Sequence, residues 1–239
     1  MEKHIFYTPD IAVTKELPEE ESHHCVKVLR LAEGDELLLT DGAGFFYRAS
    51  ITSAHPKHCV VEILETIPAA PSWPFNVHIA IAPTKNMDRM EWFVEKCTEI
   101  GVNAITLLRC RFSERKELKT DRLRKIMISA MKQSQKAVCP QLREMTDFIA
   151  FVKTPFAGEK YIAHCQAGDR RLLSEIYPAG HDAVVLIGPE GDFSPEEVQS
   201  ALSEGFSPIS LGESRLRTET AGVVACHTLH VLNEMKNKE

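Results

Sequence analysis

The chain has 239 residues, 44% of them hydrophobic and 26% charged, with a formal net charge of −6. That length suits one large domain or two modest ones, the balance is that of a soluble globular protein, and the acidic total argues against a nonspecific nucleic-acid binder. No apolar run approaches membrane-spanning length and the first seven residues do not read as a signal peptide, so the expected compartment is the cytoplasm and no membrane partner is expected.

Residues 1–70 read as a small β-rich domain. A short strand over residues 5–7 is followed by a helix over 18–30, with acids in its first turn and bases in its last, as the helix dipole favours. Strands over 36–40 and 45–51 flank Asp41-Gly42-Ala43-Gly44, the pattern of a hairpin, and residues 60–64 supply another strand. Pro68, Pro71 and Pro74 then deny both helix and central strand, which places a domain boundary before a second domain over 75–239.

In that second domain strands alternate with helices. Residues 77–82 form a strand, and Met87, Met90, Phe93, Val94, Cys97 and Ile100 recur at helical spacing until Gly101. A strand over 104–108, a helix carrying Leu123, Ile126, Met127, Ala130 and Met131, and strands over 161–165, 183–187 and 208–211 complete the pattern. Strands separated by helices predict a parallel sheet covered on both faces, hence an α/β fold. The last helix runs from about Thr218 towards Met235. Its stripe of Ala221, Val224, Ala225, Thr228, Val231 and Leu232, with further apolar surface at Val223, Cys226 and Leu229, needs cover on more than one side. Either deep burial or a homodimer interface would provide it. The seven cysteines (25, 59, 97, 110, 139, 165 and 226) are odd in number and contain no C-x-x-C pair, which argues against a disulfide framework and against a metal site.

Two strand-to-helix loops carry the chemistry. After Ile187 the chain reads Gly188-Pro189-Glu190-Gly191-Asp192-Phe193, then Ser194 as N-cap, Pro195 at the first helical position and Glu197 completing a capping box. After Leu211-Gly212 it reads Glu213-Ser214-Arg215-Leu216-Arg217-Thr218-Glu219-Thr220, with Thr218 as the expected cap of the last helix. Neither loop is G-x-G-x-x-G and no G-K-[ST] occurs, so ordinary dinucleotide and nucleoside-triphosphate sites are disfavoured. Taken singly, each loop is compatible with an ordinary turn, Arg217 with a surface ion pair, and Glu219 with a favourable N-terminal acid. Between residues 109 and 143 lie eleven Lys or Arg against three Asp or Glu, a local charge of +8 that suits either a solvated face or an RNA backbone track.

The pair Gly-Pro-Glu-Gly and Leu-Gly-x-x-x-Leu-Arg-Thr-Glu-Thr-Ala resembles the 16S ribosomal RNA (uracil-N3) methyltransferase family of the SPOUT superfamily. The likeness extends to His24-Cys25-Val26-Lys27-Val28-Leu29-Arg30-Leu31, to the stretch from Lys85 to Val102, and to Lys132-Gln133-Ser134-Gln135-Lys136. The chain departs from the family pattern at Ser129, where an acid is usual, at Lys136, where arginine is usual, and at Arg215, where an aliphatic residue is usual.

The resemblance implies a PUA-like N-terminal domain, an α/β domain tied in a trefoil knot, a homodimer, and S-adenosylmethionine as cofactor with no metal. By motif match the cofactor contacts fall on Leu186, Ile187, Gly188, Pro189, Glu190, Gly191, Leu211, Gly212, Leu216, Arg217 and Thr218, with the strand end at His164-Cys165 beside them. The implied substrate is a uridine of 16S rRNA, naked or in the assembled small subunit. Its N3 must lose a proton and lies on the Watson–Crick edge, so the base must be unpaired or extruded. Arg217 is the candidate cation and Glu219 and Glu190 are the candidate bases. Lys27, Arg30, Arg48, Arg115, Lys116, Arg122 and Lys136 are the candidate RNA contacts. The alternatives are a noncatalytic RNA-binding protein on the same fold, or a SPOUT enzyme acting on another RNA or on ribose.

Overall fold

The computed structural model describes residues 4–69, 73–166, 168 and 170–236. Pro71 of the proline cluster lies outside them. The chain forms two compact units: one of residues 1–73 with 128–139, the other of residues 74–127 with 140–239.

In the small unit, β1 (Ile5–Tyr7), β2 (Glu36–Thr40), β3 (Phe45–Ser53) and β4 (Val60–Pro68) make a sheet in that order. The β1–β2 pair is parallel, and β2–β3 is the hairpin read around Gly42. α1 (Ile11–Thr14) and α2 (Glu19–His23) precede β2, and α2 runs on as a π-helical turn over His24–Val28. Alternate strand residues Leu37, Leu39, Tyr47, Ala49, Ile51 and Val61 close over Phe6, Ile11, Leu17 and Cys25. The segment Ile128–Cys139 is fastened to this unit. The Lys132 Nζ to Glu21 Oε1 distance is 2.5 Å, and backbone bonds join Gly44 to Ala137 and Cys139 to Gly42.

The large unit holds β5 (Val77–Ile81), α3 (Met87–Ile100), β6 (Ala104–Arg109), α4 (Asp121–Gln133, continuing into the small unit), β7 (Gln141–Asp147), α5 (Phe148–Val152), β8 (Glu159–Ala163), β9 (Arg171–Leu172), α6 (Leu173–Ile176), β10 (Ala183–Ile187), α7 (Pro195–Ser203), β11 (Ser207–Ser210) and α8 (Thr218–Lys236). Its seven strands are all parallel, in the order β7-β6-β5-β10-β8-β11-β9. All five residues of β5 and of β10 are buried, as a parallel strand covered on both faces requires. On one face Ala80, Leu108, Ile162, Val184 and Leu186 pack with Phe148 and Val152 of α5 and Val198 and Ala201 of α7. The other face is covered by α3 and α8. A Cβ on Gly222 would lie 2.4 Å from the Phe93 ring and 3.2 Å from Ile81, so glycine is what lets α8 lie this close to α3 and β5.

The inward face of α8 is Gly222, Ala225, Cys226, Leu229, His230 and Asn233, so Ala225 of the apolar stripe is buried, while Ala221, Val224, Thr228, Val231 and Leu232 are half-buried. One sequence expectation changes here. Thr218 is the first helical residue of α8 and not its cap, because the Arg217 carbonyl accepts the Ala221 N–H at 2.8 Å. None of the seven cysteines is in a disulfide. Among the described residues no helix is long and apolar enough to cross a membrane.

Candidate active site

β10 lies between β5 and β8, although the chain visits β6, β7, β8 and β9 before it. The strand order therefore reverses at β10, and open α/β sheets bind ligands at the carboxyl edge of such a switch point. Here the loops after β8, β10 and β11 meet the first turn of α3 around a cleft of about 480 Å3. Residues 187–192 form one wall and residues 215–219 with Ala221 another. Ala163, Cys165 and Arg89 complete it.

The walls are tied together by short hydrogen bonds. The Thr218 hydroxyl donates to the Gly188 carbonyl at 3.1 Å, joining the start of α8 to the β10 loop. Asp192, at a φ of +66°, accepts from Cys165 N–H through one carboxylate oxygen and from Phe193 N–H through the other, both at 2.8 Å. That joins the β8 and β10 loops. Ser194 caps α7 as expected, with Glu197 closing the capping box. Gly188 is glycine for want of room: a Cβ there would meet the buried Phe193 ring at 3.1 Å.

The two candidate bases differ sharply. Glu190 is exposed, and its Oε1 accepts the Lys85 N–H at 3.0 Å. Glu219 is only 6% exposed. Its Oε1 stands 3.7 Å from Arg89 Nε, and its Oε2 has no hydrogen-bond partner among the described residues. A buried carboxylate oxygen without a donor is costly, and a cleft is where a ligand can supply that donor. Arg89, Arg215 and Arg217 set three guanidinium groups around the same cleft. His164 follows β8 but does not line it. Its Nδ1 lacks a partner among the described residues, and burial lowers its pKa.

Of the motif-predicted cofactor residues, Ile187, Gly188, Pro189, Glu190, Gly191, Leu216, Arg217 and Thr218 line the cleft, and Leu186, Leu211 and Gly212 do not. Leu186 is fully buried in the sheet core. Gly212 has a φ of +121°, a backbone conformation that favours glycine, and the space beside it is open. Sequence reasoning missed Arg89, Asp192 and Arg215 as lining residues. Arg89 was within reach of it, since the first turn of a helix that follows a strand stands at the carboxyl edge of the sheet.

The candidate RNA contacts fall on both units. Lys27 and Arg30 are exposed on the small unit, where Arg48 is paired with Glu36 at 3.3 Å and Glu65 at 3.1 Å. Lys136 also falls in that unit. On the large unit Lys116 is exposed, Arg115 donates to the Lys85 carbonyl at 2.9 Å, and Arg122 pairs with Glu91 at 2.6 Å. Arg109 pairs with Asp147 and Arg124 with Glu144. The basic excess between 109 and 143 is thus partly balanced by acids, Glu91 among them from outside that stretch.

An RNA methyltransferase domain model matches residues 71–230, and an RNA methyltransferase PUA domain model matches residues 17–64. The chain belongs to this RNA methyltransferase family. Among solved structures, a probable rRNA-methyltransferase from Porphyromonas gingivalis is 46% identical and superposes with a TM-score of 0.93 over 97% of this chain and 99% of that one. The ribosomal RNA small subunit methyltransferase E of Neisseria gonorrhoeae, solved with S-adenosylmethionine bound, is 28% identical with a TM-score of 0.85 over 96% and 98%. A ribosomal RNA small subunit methyltransferase E from Synechocystis is 30% identical over 94% of this chain and 75% of its own length. The methyltransferase domain model spans every residue that lines the cleft. Among the described residues no cluster of three or more His, Cys, Asp or Glu side chains could hold a metal ion.

Proposed function

We propose that this methyltransferase transfers a methyl group from S-adenosylmethionine to N3 of a uridine in the 16S rRNA of the small ribosomal subunit. The single observation that carries this reading is the cleft at the β10 switch point, with the unpaired Glu219 carboxylate oxygen in its wall. Its volume lies in the range of small-molecule sites. The first turn of α8 opens into it with Arg215 and Arg217, which suits the carboxylate of an amino-acid cofactor. In the same wall the Gly188 carbonyl accepts from Thr218 and the Pro189 carbonyl from Asp192 N–H, which holds the loop in place, and the N–H groups of Glu190 and Gly191 belong to that loop. Residues 187–191 and 216–218 would hold the cofactor.

When bound, S-adenosylmethionine supplies an electrophilic methyl group on sulfur. The protein must then present uracil N3 in line with that methyl and remove its proton. Glu219 is the base: Arg89 flanks Oε1, leaving Oε2 to accept the N3 proton. Arg217 stands at the start of the same helix and stabilises the negative charge that develops on the uracil oxygens. Glu190 serves a different purpose, joining the β10 loop to the Lys85 backbone.

The further architecture follows the same reading. Residues 1–70 act as a PUA-like RNA-binding domain and 75–239 as a SPOUT domain, the insertion of β10 between β5 and β8 being the strand order a trefoil knot would thread. Half-buried Val224, Val231 and Leu232 on α8 support a homodimer, and an rRNA substrate implies the cytoplasm. The test is transfer from S-adenosylmethionine into small-subunit rRNA with the modified nucleoside identified; absence of transfer would overturn the reading.

A further inference from the structure

Phe112 is an exposed aromatic beside the cleft, and its position is built, not loose. The turn from Cys110 to Ser113 is closed by two bonds: Cys110 N–H donates to the Ser113 hydroxyl at 3.0 Å, and Ser113 N–H donates to the Cys110 carbonyl at 3.1 Å. Both of those residues are buried. Between them the Arg111 N–H donates at 2.8 Å to Glu197 Oε1, whose other oxygen closes the capping box of α7. With its ends and centre held this way, the turn leaves Phe112 48% exposed. The side chain leans on the cleft wall: a Cβ on Gly191 would come within 3.2 Å of the Phe112 Cβ. The Arg111 guanidinium carbon lies 5.9 Å from the centre of the Phe112 ring.

We propose that Phe112, with Arg111 beside its ring, is a stacking platform for an unpaired nucleobase of the RNA substrate at the outer edge of the cleft. The inference rests on the function proposed above. Single exposed hydrophobic side chains are common on protein surfaces, but this one is held by a braced turn against the cleft wall with a cation near its ring. Single-stranded RNA offers the matching chemistry, because its bases stack on aromatic rings and guanidinium planes while its phosphates attract cations. A uridine presented at N3 must leave its own stack, which also frees the faces of its neighbours. A ring beside Gly191 stands where such a base would pass on its way to the cleft.

The experiment uses the full-length protein and a short single-stranded fragment of small-subunit rRNA containing the target uridine, with 2-aminopurine placed beside that uridine. Wild-type protein should quench the 2-aminopurine fluorescence. Phe112→Ala should lose that quenching and weaken RNA binding by about tenfold or more, while Phe112→Trp retains both. S-adenosylmethionine affinity should stay at the wild-type value in both variants. Unchanged RNA affinity and quenching in Phe112→Ala would overturn the proposal. So would light scattering that shows Phe112→Ala dissociating, with RNA affinity falling only in step, since the ring would then belong to an interface between copies of this chain. Failure of the functional reading looks different: the wild-type protein itself would not bind S-adenosylmethionine or methylate rRNA.

Discussion

Glu219 and Glu190 lie in one cleft in different states of engagement, and that difference predicts their kinetics. Glu219→Gln keeps the shape and removes the proton acceptor, so kcat should fall by about 100-fold or more with S-adenosylmethionine affinity little changed. Glu190→Gln keeps an acceptor for the Lys85 N–H and should alter kcat by less than about tenfold. Steady-state kinetics on rRNA with both variants separates the roles, and equal losses would remove Glu219 from the role of base. A second residue acts on stability. His78 is buried on β5 with its Nε2 2.8 Å from the Thr106 hydroxyl, and burial, reinforced by Arg143, lowers its pKa from 6.5 to about 4. The unfolded chain therefore binds a proton there that the folded chain refuses. The stabilising contribution is complete above pH 6.5 and is lost as pH falls towards 4, by an amount on the order of 3 kcal/mol. Denaturant titrations from about pH 7 to about pH 4 should show the loss, and His78→Gln should flatten that part of the profile.

At the scale of elements, the contact of α8 with α3 and β5 turns on one missing methyl group. Gly222→Ala places a Cβ where the Phe93 ring lies, and the ring must move against a packed core, so we expect a loss of roughly 1–3 kcal/mol by denaturant titration. An unchanged midpoint would mean that this helix pair has slack. Most elements were legible in the sequence because each carries its own period. α3 has its helical stripe with Gly101 at the end, and α7 has Ser194, Pro195 and Glu197 at its start. The elements that escaped are short or lie at a sheet edge. β7 buries only Leu142 fully, so it lacks the apolar run of a central parallel strand, and β9 has two residues. On α8 both faces are apolar, so periodicity could not tell which one meets the sheet. The space under Phe93 decided it in favour of the face carrying Gly222.

Over the whole molecule, the site was half legible. Gly188-Pro189-Glu190-Gly191 and Leu216-Arg217-Thr218-Glu219 announce themselves as loops between strand and helix, and their meeting follows from the family resemblance. Asp192 joins them as the continuation of the β10 loop, and Arg89 because β5, the strand before α3, pairs with β10, a strand order that is a long-range property no local pattern encodes. The charge distribution behaves the same way. Eleven basic residues between 109 and 143 look unbalanced in sequence, yet Arg122 faces Glu91 and Arg124 faces Glu144 in space. Arg122→Glu should therefore lower the melting temperature by a few degrees through repulsion with Glu91. Lys116→Glu with Lys119→Glu, both exposed, should leave it near the wild-type value while weakening RNA binding and reducing its salt slope by about one for each phosphate that is no longer neutralised. Filter binding across a salt series beside thermal melts distinguishes these, and an unchanged slope would make the segment a solvated face. The central claim is that this cleft methylates N3 of a uridine in small-subunit rRNA. It is tested most directly by incubating the purified protein with isotopically labelled S-adenosylmethionine and unmodified small ribosomal subunits or their rRNA, then analysing the nucleosides by mass spectrometry. Labelled 3-methyluridine is the predicted product, formed far more slowly with Glu219→Gln; label in 2′-O-methyluridine, in another base, or in no nucleoside would contradict the account.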